Sequence, residues 1–254
     1  MALSAEPSVS VVTPAYNATR FIGQTIRSVQ DQTFSDWELI VVDDGSADGT
    51  PDLVAGLARA DARIRLIAGE GNRGPAGARN RGIEEARAPL LAFLDSDDLW
   101  LAPKLELQVA FMRERRAAFS FTSYSMIDEN DRPIGKPILA PARIGYRDLL
   151  ANTNIGCLTV MLDRREIAPP RMPDLPQHED LALWYRILKS GKTALGLPDI
   201  LARYRVLAGS ASRNKVRAAL RMWRVYRRVE HLSIPETAWY YAQYAWHAYW
   251  KNRV

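Results

Sequence analysis

Three carboxylates, Asp95, Asp97 and Asp98, close the apolar run LLAFL at residues 90–94. Like charges this close repel, and an apolar wall pushes each toward its neutral form, so a cation, a basic side chain or water must compensate them. Two carboxylates one residue apart at a strand end can point into the same space and share a hard divalent ion that bridges phosphate oxygens. Alone, D-x-D recurs in solvated turns, so its weight depends on its company. A second acidic pair, Asp43-Asp44, ends another β-branched run, and Asp43 with Ser46 suits a turn. A third acidic group, Glu179-Asp180 after His178, opens a helical pattern. Either carboxylate can take a proton from a hydroxyl within hydrogen-bond reach, although acids in a first helical turn also simply favour the dipole. His178 reads as an orienting neighbour or an exposed bystander.

The elements that must position these residues follow from periodicity. Residues 8–13 and 37–45 read as β-branched strands, 63–69 as a third and 89–95 as a fourth. Between them lie helical patterns: Phe21, Ile22, Ile26 and Val29 at helical spacing, Thr50 capping a helix with Pro51 in its first turn, and a third helix over 76–88. Helix-length connections suit parallel pairing, so the reading is an α/β fold with a mixed, mostly parallel sheet flanked by helices. Beyond residue 116, strands are expected over 117–128, 156–164 and 198–206, with a helix over 178–191 closed by Gly191. Ligands of open α/β sheets sit beyond the carboxyl ends of the strands. Residues 14–17, 43–49, 69–80 and 95–98 should therefore converge on one crevice. Gly71, Gly74 and Gly77 make the third of these a permissive loop.

The first strand is followed by Pro14-Ala15-Tyr16-Asn17 rather than G-x-G-x-x-G, which disfavours a dinucleotide site. A haloacid-dehalogenase phosphatase would place its D-x-D near the chain start, and Asp95 comes too late. A nucleotidyltransferase would need a Gly-rich, basic signature after the first strand, which is missing.

Taken together, the stretches at 9–50, 71–100 and 177–188 resemble the family 2 glycosyltransferases, inverting enzymes of GT-A type that use nucleotide-sugar donors. The resemblance covers residues 8–210. It implies transfer of a sugar from a nucleotide diphosphate, most often a UDP-sugar, to an acceptor hydroxyl in surface polysaccharide or glycolipid synthesis. It places Pro14, Ala15, Tyr16 and Asp44 at the nucleobase and Arg79 near the base or diphosphate. It further places Asp95 and Ser96 at the ribose end of the donor, Asp97 with Asp95 at Mn²⁺ or Mg²⁺, and Asp180 as general base. Asp98 is left as a turn or helix cap. Trp100 and Trp184 are candidates for stacking on an acceptor sugar, beside their ordinary reading as core. One departure stands out: where relatives carry a histidine, position 207 is Leu, so Arg205 or water must serve there, with Glu179 and Arg205 as further acceptor or diphosphate contacts. A non-catalytic nucleotide-sugar-binding scaffold of the same fold is the alternative, against which the intact acids argue.

The chain has 254 residues, 47% of them hydrophobic and 25% charged, as in an ordinary globular protein. Its one cysteine, Cys157, excludes an internal disulfide and reads as a packed thiol in a reducing compartment. The N-terminus lacks a secretory pattern, and no window suits a transmembrane helix, so a cytoplasmic protein, at most peripheral at the membrane's inner face, is expected. A catalytic domain over 1–212 and a helical extension over 213–254 are expected. The sequence pI of about 9.4 comes mainly from Arg213, Lys215, Arg217, Arg221, Arg224, Arg227 and Arg228. These read as a basic amphipathic helix, followed by one rich in Trp and Tyr. The extension suits an anionic membrane surface holding a lipid-linked acceptor, or else a solvated basic face with an aromatic patch that packs on the catalytic domain or on a second copy in a homodimer; nucleic acid is the least favoured partner.

Overall fold

The computed structural model describes residues 6–69, 71–175, 178–207 and 222–251, with side chains through 247. Its first half is three strand–helix units and a fourth strand: β1 (Val9–Ala15), α1 (Ile22–Gln30), β2 (Trp37–Asp43), α2 (Thr50–Ala60), β3 (Ile64–Ala68), α3 (Gly74–Glu85) and β4 (Leu90–Phe93). β3, β2, β1 and β4 lie side by side and parallel. The continuous runs of β-branched residues in β1 and β2 fit strands buried on both faces. Val12, Ile40 and Val42 point into one core, while Val11, Leu39 and Val41 point into the other, as the two-residue period of a strand requires.

The second half adds β5 (Leu99–Trp100), α4 (Lys104–Arg115), β6 (Phe119–Ile127), β7 (Pro133–Ile138), β8 (Arg143–Ile144) and α5 (Tyr146–Ala151). A 3₁₀ turn (Cys157–Thr159), β9 (Met161–Asp163), α6 (Glu179–Lys189), β10 (Ala194–Arg205) and α7 (Ile234–Lys251) follow. β9 is antiparallel to both β4 and β6 and stitches the two halves into one sheet. β10 runs parallel to β6 and carries β5 and β8 antiparallel.

Several expectations are corrected. β1 continues through Pro14 and Ala15, with Pro14 in register with Val42. The strand expected over 156–164 is half 3₁₀ turn, and β10 starts four residues before the expected strand. Asp98 caps no helix, since α4 begins only at Lys104.

α3 lies close on the sheet because Gly82 has no side chain: a Cβ there would meet Val12 Cγ1 at 2.4 Å. Residues 222–251 pack on the α/β body. Met222, Val225 and Tyr226 are buried in the same core as Trp184, and Tyr240, Tyr241 and Tyr244 pack against it from α7. Tyr226 donates its hydroxyl to the Leu150 carbonyl at 2.6 Å. Glu230 takes the Tyr146 hydroxyl and pairs with Lys189 at 2.7 Å. The expected basic stripe at Arg213, Arg217 and Arg221 lies outside the described residues; Arg224, Arg227 and Arg228 are exposed.

Candidate functional site

The carboxyl ends of β1 to β4 do meet in one crevice. Pro14, Ala15 and Tyr16 line it from β1, Asp44 from β2, Asn72, Gly74, Pro75, Ala78 and Arg79 from α3 and its approach, and Asp95, Ser96 and Asp97 from β4. Its volume is about 400 Å³, the size of an ordinary small-molecule site. The walls are tied to one another locally. Asn17 adopts a left-handed backbone, φ 48°, donates its N–H to Ser46 Oγ at 2.9 Å and accepts the Ala47 N–H at 2.9 Å. Asp43 accepts the Ser46 N–H at 3.1 Å, the turn role its sequence position suggests. Asp44 is buried and accepts the Arg73 N–H at 2.9 Å, which holds the approach to α3 against the β2 end. Tyr16 stands at the rim, half-exposed.

The acids after β4 sit in different surroundings. Asp95 Oδ1 accepts from Arg79 Nη2 at 2.5 Å. Asp97, facing the crevice, is pushed up to about 6 by burial and then by the charge of Asp95. Asp98 is buried: one oxygen accepts the Arg205 backbone N–H at 2.8 Å, its carbonyl accepts from Thr25, and burial followed by its two acidic neighbours drives its carboxyl well above the usual range. It is a strut beneath the loop, a role no local pattern announces because its partners lie far away in sequence.

Asp180 is half-buried in the first turn of α6. Desolvation by its protein surroundings pushes its carboxyl up to about 6; Arg79 draws it down, and Glu179 and Asp95 push it further up. Its Oδ1 accepts the Leu181 N–H at 2.7 Å. Glu179 is engaged elsewhere, accepting from Arg79 Nη1 at 2.6 Å. His178 takes a left-handed backbone, φ 64°, at the helix start.

Three candidates fall outside the site. Trp184 is 0% exposed and packs between Phe93 and Phe119. Trp100 is 4% exposed, donates its indole N–H to the Leu158 carbonyl at 2.8 Å and lies under Lys104 Nζ. Neither ring can stack on a sugar. Arg205 is also buried, its guanidinium turned to the back of the acidic loop: Nε donates to the Asp97 carbonyl at 2.7 Å, Nη1 to Asp131 Oδ1 at 2.6 Å and Nη2 to Gln24 Oε1 at 3.0 Å. It supplies no direct contact to a diphosphate; it holds the loop from behind. The sequence offered no signal for Gln24 or Asp131 as its partners. Cys157 is buried, and burial pushes its thiol well up, so it is a packed thiol without nucleophilic character.

The carboxylates fit a divalent cation. Two oxygen-bearing groups face one crevice, and Asp97 is held toward its neutral form first by burial and then by the charge of Asp95, both of which such an ion would offset. Among the described residues no three or more candidate ligands cluster, so phosphate oxygens and water would complete the shell.

A family described as "Glycosyl transferase family 2" matches residues 10–168. A Bacillus subtilis protein named as a putative teichuronic acid biosynthesis glycosyltransferase, TuaG, is 47% identical over 240 residues, covering 94% of this chain and 95% of its own. An Escherichia coli protein, WfgD, named as a UDP-Glc:α-D-GlcNAc-diphosphoundecaprenol β-1,3-glucosyltransferase, is 42% identical over 218 residues, 85% of this chain and 84% of that one. Among solved structures, S. aureus TarS 1–349 in complex with UDP-GlcNAc superposes with a TM-score of 0.70 at 18% identity, covering 94% of this chain and 71% of that chain. The Pyrobaculum calidifontis mannosyltransferase PcManGT with GDP-Man and Mn²⁺ gives 0.69 at 19% identity, covering 91% and 66%. The fold is of GT-A type.

Proposed function

The chain belongs to glycosyl transferase family 2, and from that premise we propose that it transfers a sugar, with inversion and the help of a divalent ion, from a UDP-sugar to a lipid-linked saccharide in surface polysaccharide synthesis. The single observation that carries this reading is the crevice where Pro14–Tyr16, Asp44, Arg79, Asp95, Ser96 and Asp97 face one space. The names of WfgD and the complex of TarS support the donor, and the name of WfgD supports the acceptor.

In this mechanism the uracil lies against Pro14, Ala15 and Tyr16, with Asp44 accepting its N3–H. The ribose lies by Asp95 and Ser96. Asp97 and Asp95 would hold a divalent ion, which when bound would supply Lewis-acid stabilisation of the leaving diphosphate. Asp180 takes the proton of the acceptor hydroxyl as its oxygen bonds to the anomeric carbon. The bond from that carbon to the donor phosphate breaks, its electron pair leaves on the diphosphate, and the single displacement inverts the centre. Asp180 is suited to this because its raised basicity, near 6, still leaves it ionised at neutral pH. The test is a donor screen by UDP release with Mn²⁺, beside Asp97→Ala and Asp180→Asn. Both variants should lose at least 10²-fold in turnover, the usual share of a general acid or base; wild-type turnover in both would overturn the mechanism.

The acceptor and the C-terminal surface belong together in this reading. On α7, Trp239 and Trp246 are 66% and 61% exposed, opposite the tyrosines that dock the helix. Exposed Arg224, Arg227 and Arg228 precede them. Such a face suits the interface of an anionic membrane at the cytoplasmic side. Trp239→Ser with Trp246→Ser should release the protein from phosphatidylglycerol vesicles in flotation; unchanged flotation would refute it.

A further inference from the structure

The resemblance places Arg79 near the nucleobase or diphosphate, but its side chain is already committed. It is only 6% exposed, and both terminal nitrogens are taken: Nη1 by Glu179 Oε1 at 2.6 Å and Nη2 by Asp95 Oδ1 at 2.5 Å. The two carboxylates belong to elements far apart in sequence, the loop after β4 and the first turn of α6. A guanidinium fork suits this task because its donors are fixed in a plane and can grip two acids at once.

We propose that Arg79 is a positioning residue, a clamp that with Glu179 holds the base-bearing turn of α6 against the acidic loop of the nucleotide pocket. The proposal rests on the reading of Asp180 as the base. Glu179 then acts through Arg79 and is not a second base. The clamp explains how Asp180, on an element that lines no part of the nucleotide crevice, keeps a fixed relation to the donor.

The two members of the clamp act on Asp180 with opposite sign. The charged groups around it are Arg79 from α3, Glu179 beside it on α6 and Asp95 from the loop after β4, and the titratable Cys157 of the 3₁₀ turn, its thiol pushed well up by burial, stands neutral nearby. Removing Arg79 takes away the positive charge that favours the carboxylate. Removing the charge of Glu179 takes away a repulsion and leaves Arg79 less compensated.

The experiment measures kcat against pH at saturating donor and acceptor for wild type, Glu179→Gln and Arg79→Gln, with calorimetric UDP binding for each. In Glu179→Gln, UDP affinity should stay within about threefold while kcat near neutral pH falls on the order of tenfold, the cost of slight misplacement of a reacting group. Its acid limb should move to lower pH, so that near pH 5 it keeps about threefold more of its own neutral-pH rate than wild type keeps. The acid limb of Arg79→Gln should move the opposite way. Shifts in the same direction, or a loss of UDP affinity in Glu179→Gln as large as its loss of kcat, would overturn the clamp. If Arg79→Gln does not fold, Glu179→Gln decides alone: an unmoved limb overturns the proposal. Total loss of turnover in Glu179→Gln, equal to that in Asp180→Asn, would also overturn it by making Glu179 a base. Asp180→Asn with full activity would instead sink the reading beneath it.

Discussion

Replacing Arg205 by Met separates a strut from a substrate ligand. The guanidinium donates to the Asp97 carbonyl, to Gln24 and to Asp131, and its carbon lies 4.4 Å from the centre of the Phe21 ring. Hydrogen bonds from a charged donor contribute about 1.5–3 kcal/mol each when buried. The bonds to the Asp97 carbonyl and Gln24 therefore account for about 3–6 kcal/mol. The Asp131 side chain is 47% exposed, so its ion pair adds less than about 1 kcal/mol. Met keeps much of the apolar stem and relieves a buried charge, which returns about 1–2 kcal/mol. The net loss lies at about 1–6 kcal/mol, centred near 3–4 kcal/mol, a large part of the roughly 5–15 kcal/mol that holds a domain together. In urea the midpoint should fall by about 1–2 M at unchanged m, followed by far-UV circular dichroism. Arg205→Lys should recover only part of it, because one ammonium cannot span three acceptors on three elements. UDP binding well below the midpoint should weaken little, since no donor group meets this side chain. A loss under about 1 kcal/mol, or full recovery by Lys, would refute the strut.

Two further outcomes concern buried groups. Lys104 is 0% exposed, bonds to Gln108 at 2.7 Å and is pushed down to about 7 by burial. Between about pH 7 and its ordinary value near 10.4 the unfolded chain holds a proton that the native state lacks, so stability rises with pH through that window. Lys104→Met should stabilise by about 1–3 kcal/mol near pH 7, after the cost of leaving Gln108 Oε1 without its donor. The gain should vanish near pH 10, as urea titrations at the two pH values would show; a pH-independent difference would contradict it. The Cys157 thiol should react at least about 10²-fold more slowly with a disulfide reagent in the native protein than in urea, given its burial and raised pKa; equal rates would contradict the packing.

What the sequence made legible was local. The β-branched runs ending at Asp43 and before Asp95 marked their strands, and the loops beyond them marked one crevice, because in a parallel sheet side by side strands share a polarity. What escaped was set at long range. Nothing near Glu179 announces Arg79, and nothing near Arg205 announces the Asp97 carbonyl, since sheet order brought both pairs together. Trp100 and Trp184 look alike as stacking platforms or core in sequence, and only the 3₁₀ turn closing over Trp100 and β4 and β6 closing over Trp184 decided for the core. Likewise the Trp- and Tyr-rich composition of the last helix suits a membrane or a protein contact alike, and nothing local says that its tyrosines pack on the core beside Trp184.

The docking of that C-terminal segment has a consequence for synthesis. Met222, Val225 and Tyr226 fill a core whose walls, Phe93, Phe119 and Trp184, are translated much earlier. A growing chain folds from its N-terminus as it emerges, so the β1–β4 half can assemble while the ribosome still holds the tail, but the face beneath α5 and α6 stays open to water until Tyr244 has been released. During that interval the nascent enzyme shows an apolar surface that its finished form hides, and a chaperone or a premature stop would act there first.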